Sequence, residues 1–282
     1  MYVLACPCIR EPALRPPGIT EDTLLEAFSD AQARCRRFGI DFITLPCPET
    51  TYLGRERSPA TFLERLDTPA FAKVLDAAET EVRRVLESRG DPICILGVDS
   101  SPSCGVQFTH YGSRDGGPSK KPGRGAFLAR FLHIPVMDVR EFARYRVYLA
   151  GPLFSQAERN WNASLRDLLA THLFEVFLPQ EQGEDTGAGR GSLSVEGIYA
   201  KNRAALDAAH MVVAVCDGAD ADSGTAWEMG YAHARGKPVY AARTDFRRVG
   251  ESERVNLMLE HAAVFVDDAQ DLPRVMRSPF RL

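Results

Sequence analysis

Short runs of β-branched and apolar residues alternate along this chain with amphipathic segments of helix length, and that alternation leaves few folds open. In the first half, "YVLAC" (2–6), "IDFITLP" (40–46) and "PICILGV" (92–98) read as buried strands. Between them the pattern predicts a helix over 20–38, capped by Thr20, and another over 69–89. In the latter, Leu75, Ala78, Val82 and Val85 mark the inward face and Gly90 provides the stop. The second half repeats the alternation with "RVYLAGPLF" (146–154), a helix over 157–172, "FEVFLP" (174–179), a helix around 195–209, "MVVAVC" (211–216), a helix within 222–236, "PVYAA" and "AVFVDD". Strand, crossover and strand in this order predict an α/β fold: two parallel-sheet domains, Rossmann-like or flavodoxin-like, with helices on both faces.

A chain of 282 residues with 45% hydrophobic content can bury two cores. The junction falls near "DVREFARY" (138–145), giving expected domains 1–143 and 144–282. The net charge of -4 and the short, interrupted basic clusters "RCRR", "SKKPGR" and "RTDFRR" speak for solvated surface and against a nucleic-acid partner. No apolar run approaches the roughly 18 residues a membrane helix needs. "MYVLACPCIREP" has neither a basic leader nor a cleavage site, so a cytoplasmic protein without membrane contact is expected. The polar, glycine-rich stretch 179–197 is too long for an idle connection and reads either as a loop over a site or as disorder.

In an open parallel sheet, ligands bind beyond the carboxyl ends of the strands. "DGADADSG" follows the strand "MVVAVC", so Asp217, Asp220, Asp222 and Glu228 fall on that side. Thr225 to Glu228 fits a capping box, in which Glu228 would reach back to the cap residue's own N–H. The same placement also suits a nucleophile: a helix N-terminus favours an ionised carboxylate, and a carboxylate can attack an anomeric carbon to form a covalent glycosyl-enzyme. Asp222, on the ligand side, can also read as an N-cap, and Tyr148 and Phe154 read as ordinary core aromatics.

"VYLAGPLF", "DSGTAWEMGYAHARGKPV" and "VNLM", over about residues 146–268, together resemble the nucleoside 2-deoxyribosyltransferase family and its N-glycosidase relatives. The resemblance implies that Glu228 attacks C1′ of a 2-deoxyribosyl group and displaces a base, which a second base or water replaces. It makes Tyr148 the orienter of Glu228, Phe154 an aromatic of the base pocket, and Asp222 an acid near sugar and base. Gly151, Asn202 and Gln180 join the substrate-binding set. Asn202 stands where the family has an aspartate, and an amide cannot supply a proton. Asn256 and Met258 match positions lent to a neighbouring subunit, which implies a homo-oligomer. No cofactor is implied for this half.

Six of the seven cysteines lie in the first 104 residues. Cys6 closes the first strand, Cys47 follows the second and Cys104 follows the third, so a parallel sheet gathers them at one edge. Three thiolates from separate loops suit an iron-sulfur cluster with one iron left open; Cys8 competes with Cys6 for the first place. Cys35 and Cys94 read as core residues. "AC", "CPE" and "SPSCG", within residues 1–137, resemble the family that includes thiouracil desulfurases. That resemblance implies a cluster of the 4Fe-4S type, an open iron that takes sulfur from a thiolated base, and Glu49 and Ser101 beside the substrate.

The expected protein is thus a nucleobase and nucleoside salvage enzyme. It would cleave or transfer an N-glycosidic bond and be fused to an iron-sulfur desulfurase domain, with small nucleosides or nucleobases as its partners. Two alternatives stand beside it: a plain N-glycosidase using water, and a nucleotide-binding or redox sensor in which Glu228 only caps its helix.

Overall fold

The computed structural model describes residues 1–112, 119–182, 194–250 and 253–278. The chain divides into two compact units, Met1–Arg144 and Tyr145–Leu282. Most of the stretch read as a loop over a site or as disorder, residues 183–193, lies outside the described residues.

The first unit runs β1 (Tyr2–Ala5), α1 (Asp22–Arg37), β2 (Asp41–Thr44), α2 (Pro48–Leu53), α3 (Phe62–Arg65), α4 (Pro69–Arg89), β3 (Ile95–Gly97), β4 (Phe108–His110), β5 (Lys120–Pro122), β6 (Val136–Asp138) and α5 (Val139–Phe142). Among the described residues, four strands form a parallel sheet in the order β2-β1-β3-β6. β1 and β3 are buried along their whole length, as strands covered on both faces must be. Helix α4 shows why its sequence is helical: Thr68 accepts from Phe71 N at 3.1 Å, Pro69 opens the first turn, and Gly90 leaves the helix at φ 73°.

The second unit runs β7 (Arg146–Ala150), α6 (Gln156–Thr171), β8 (Glu175–Phe177), α7 (Val195–Ala208), β9 (Met211–Val215), α8 (Ser223–Ala234), β10 (Val239–Ala242), α9 (Leu257–Ala262), β11 (Val264–Val266) and α10 (Leu272–Val275). Its described strands form a parallel sheet in the order β11-β10-β9-β7-β8. All five residues of β9 and four of five in β7 are buried. Each such Val, Leu or Met contributes about 1.5–3 kcal/mol on leaving water, which pins the strand register. Helix α6 starts with a full capping box, Ser155 N donating to Glu158 Oε2 at 2.6 Å and Glu158 N to Ser155 Oγ at 3.2 Å.

The fold departs from the sequence reading at three places. Helix α1 begins at Asp22, with Glu21 rather than Thr20 at its cap position, because the Thr20 hydroxyl is taken by Arg15 Nε at 2.9 Å. An antiparallel hairpin, β4 with β5, interrupts the first unit and pairs Thr109 with Lys121; its exposed "KKP" strand carries no apolar alternation to read. The third departure, at the start of α8, belongs to the site. No helix of the described residues is long and apolar enough to cross a membrane.

Candidate active site

Tyr148 sits in β7, paired in register with Val212 of β9 and Phe177 of β8. Its ring is fully buried and stacks on Phe177, with centroids 5.5 Å apart and planes 16° apart. So held, the phenol donates a hydrogen bond to Glu228 Oε1. Burial and the neighbouring carboxylate raise the tyrosine far above its ordinary value, so it remains a donor at any physiological pH.

Glu228 reaches Tyr148 because α8 starts at Ser223, with Asp222 as its cap. Asp222 Oδ2 accepts from Thr225 N at 3.0 Å and from Thr225 Oγ1 at 3.3 Å. This overturns the capping-box reading: Thr225 is a buried first-turn residue, its N–H is already satisfied, and Glu228 stands a full turn later. The helix dipole acts mainly within the first turn, so it does not hold Glu228 ionised. Burial instead pushes the Glu228 carboxyl up to about 7; the Tyr148 hydrogen bond pulls the other way and the Asp222 charge adds to the rise. On α8, Thr225, Met229 and Ala232 are buried while Gly230 and Ala234 face outward.

The loops behind α8 are laced together. Asp217 accepts from Thr244 N at 2.6 Å, Thr244 Oγ1 at 2.9 Å and Asp245 N at 2.9 Å. Buried Arg243 donates to the carbonyls of Cys216, Gly218 and Arg247. Asp217 is therefore spent on structure, and Asp220 caps the N–H of Ala221 at 2.8 Å. His233 is exposed.

Asn202, on α7, shares with Glu228 a cavity of about 340 Å³, walled by Tyr199, Leu206, Trp227 and Gly224, with Arg203 at its side. The Trp227 ring meets Tyr199 at 6.1 Å and stacks on Tyr231 at 5.1 Å. Gly151 follows β7, where an added Cβ would lie 3.0 Å from Asn162 Oδ1 and 3.3 Å from Val215 Cβ. Gln180, in the turn after β8, bonds to Asn162 and to the Arg159 carbonyl. Phe154 is 75% exposed. Asn256 caps α9, its Oδ1 accepting from Met258 N at 3.0 Å; Met258 is 72% exposed, and neither lines the Glu228 cavity of its own chain. Phe177, Trp227 and Asn162 escaped the sequence reading, the first two because an aromatic in an apolar run looks like any core residue.

In the first unit, Cys6, Cys8, Cys47 and Cys104 line one cavity of about 540 Å³, together with Glu49, Arg57, Ser101 and Ser103. The neighbouring Cys104 thiol and burial raise Cys6 well above its usual value. Burial pushes Cys8 up to about 12 and raises Cys47, whose sulfur accepts from Thr50 Oγ1 at 3.1 Å and Thr50 N at 3.4 Å. Glu49 accepts from Ser101 Oγ at 3.1 Å and Ser103 Oγ at 2.5 Å, with Arg57 Nη2 at 3.7 Å. Arg57 also donates to Thr50 Oγ1 at 3.1 Å. Among the described residues no group of three or more His, Cys, Asp or Glu side chains is arranged to hold a metal ion. Cys35 and Cys94 are buried in the core.

The second unit thus presents a half-buried carboxylate, oriented by a phenol, beside a parallel α/β sheet. Residues 147–267 match the family model described as nucleoside 2-deoxyribosyltransferase. Solved structures similar to this chain include a conserved protein from Enterococcus faecalis V583, 28% identical, covering 48% of this chain and 99% of that one with a TM-score of 0.42. The 2-deoxyribosyltransferase of the psychrotolerant bacterium Bacillus psychrosaccharolyticus is 23% identical, with coverages of 45% and 89% and a TM-score of 0.38. The 2-desoxiribosyltransferase of Leishmania mexicana is 21% identical, with coverages of 47% and 97% and a TM-score of 0.40. A search of curated proteins returned no match to this chain.

Proposed function

We propose that the second unit breaks the N-glycosidic bond of a 2-deoxynucleoside, with Glu228 as nucleophile and Tyr148 as the residue that aims it. The observation that carries this reading is the hydrogen bond from Tyr148 to a half-buried Glu228 inside the segment that matches the nucleoside 2-deoxyribosyltransferase model. The ionised carboxylate attacks C1′, the C1′–N bond breaks, and its electron pair leaves with the base. Asn202 can hold the base edge but has no proton to give, so the departing base takes its proton from solvent. A second base, or water, then attacks C1′, loses a proton to solvent and frees Glu228. Asp222 caps α8 through Oδ2 and offers Oδ1 to a sugar hydroxyl. The same reading gives Phe154, Gly151 and Gln180 to the base. Asn256 and Met258 complete the site of a neighbouring copy, which makes the protein a homo-oligomer.

The attack on C1′ is common to a transferase and an N-glycosidase. Incubating a 2-deoxynucleoside with and without a second free base separates them: a transferase makes the new nucleoside, and a hydrolase makes free sugar in both tubes. Recovery of all the starting nucleoside in both would contradict the reading.

The first unit supports a second activity, because four thiols line one cavity with the Glu49, Ser101 and Ser103 network. Thiol donors of this kind suit iron and sulfide, whose ligands sit farther apart than those of a single ion, and binding would displace the thiol protons. Cys47 and Cys104 would hold a 4Fe-4S cluster with Cys6 or Cys8. When bound, such a group would supply an open coordination position for the sulfur of a thiolated base, whose carbon would take oxygen from water as the sulfur leaves as hydrogen sulfide. Glu49, fixed by the two serines, would orient that base by accepting a hydrogen bond from it. Anaerobic reconstitution should give about four irons per chain and a visible charge-transfer band, both lost in Cys47→Ser; a colourless, iron-free protein would contradict it.

A further inference from the structure

Asn162 lies on α6 and is 2% exposed, yet one of its polar atoms has no partner. Its Nδ2 donates to Pro152 O at 2.9 Å, in the turn between β7 and α6, and to Gln180 Oε1 at 3.2 Å, in the turn after β8. Gln180 Nε2 donates in turn to Arg159 O at 2.8 Å. Because the two carbonyls accept only, they fix which end of each carboxamide is nitrogen. Asn162 Oδ1 is left buried and unpaired, and a Cβ at Gly151 would come within 3.0 Å of it. An unpaired buried acceptor is a cost to the fold, and an apolar side chain of the same shape would avoid it. The gain from asparagine lies in its two donated bonds, both of which end in turns that follow β7 and β8, the first of which also carries Tyr148.

We propose that Asn162 is a positioning residue of the Glu228 site, which sets the orientation of the Gln180 carboxamide and the course of the Gly151–Pro152 turn. This inference rests on the proposed glycosidic function. With Nε2 bonded to Arg159 O and Oε1 to Asn162, Gln180 keeps one N–H and one lone pair in a fixed direction, a donor-acceptor pair suited to the edge of a nucleobase. A Cβ at Gly151 would stand 3.0 Å from the Asn162 oxygen and 3.3 Å from Val215 Cβ, so the amide would have to give by a few tenths of an ångström.

The test measures base release by the full-length protein from an equimolar mixture of the four common 2′-deoxynucleosides, together with thermal melting. Asn162→Leu keeps the shape and removes both donors and the orphan oxygen. The expected result is a folded protein whose melting temperature falls by only a few degrees, with kcat/KM down about tenfold and mainly through KM, since ground-state placement of the base is what is lost. The Asn162→Leu, Gln180→Leu double variant should be no slower than Gln180→Leu alone, because one acts through the other. Where Asn162→Leu does not fold, Asn162→Ser serves the same cycle. An active wild type with Asn162→Leu equally active, or with effects that multiply in the double variant, would overturn the assignment while leaving the glycosidic function standing. A wild type that releases no base would remove both.

Discussion

Tyr148, at the centre of one strand, donates its phenolic hydrogen to Glu228, 80 residues away on the second turn of α8. The pair joins sheet to helix at the point where the crevice of a parallel sheet should open. Its consequence is a carboxylate whose proton affinity is set by burial, then by Tyr148 and Asp222.

The first prediction concerns pH. Glu228 attacks only when ionised, and burial holds its carboxyl up to about 7. Base release should therefore rise between pH 6 and 8 with an inflection near 7, and fall away below it. Tyr148→Phe removes the hydrogen bond that favours the charged form, so the inflection should move to higher pH and the rate should drop by about 10- to 100-fold. Initial rates across pH for both proteins check this.

Replacing Glu228 by Gln should abolish turnover and stabilise the fold. The folded-state value lies above the unfolded one, so the ionised residue opposes folding. That penalty is absent below about pH 4.5 and complete above about pH 7. Urea denaturation should show Glu228→Gln more stable than wild type by about 1–3 kcal/mol at pH 8 and no more stable at pH 4.5.

Asp222→Ala should act twice. It removes the cap of α8, at a cost of about 1 kcal/mol. It also removes a negative charge that raises Glu228, so the pH inflection should move down, opposite to Tyr148→Phe. Profiles of the two variants measured side by side give the comparison.

Arg243→Met tests the clasp behind the site. The substitution leaves the carbonyls of Cys216, Gly218 and Arg247 without their buried donor. A loss of about 2–4 kcal/mol in denaturant unfolding is expected.

The sequence made the strand and helix alternation legible because buried parallel strands are nearly pure apolar runs; α4 ends where Gly90 says it should. It set Glu228 after β9 but credited the helix N-terminus with governing its charge, where burial raises the carboxyl instead. Capping patterns are local, whereas the carboxyl's environment depends on Tyr148, which is remote in the chain. The Asn162 amide was invisible for the same reason: nothing in "NWNASL" marks one asparagine as buried and bonded to residue 180. In the first unit the strand-end cysteines were readable from spacing. The Arg57 and Thr50 contacts around Cys47 and Glu49 arise from a segment with no motif.

The most direct measurement is to incubate the protein with a 2-fluoro-2-deoxyribosyl nucleoside, which slows release of a covalent intermediate, and to map the adduct by mass spectrometry after digestion. The account predicts one glycosyl group on the peptide carrying Glu228, absent in Glu228→Gln. Base release by the wild type with no adduct, or with an adduct on another residue, would contradict it.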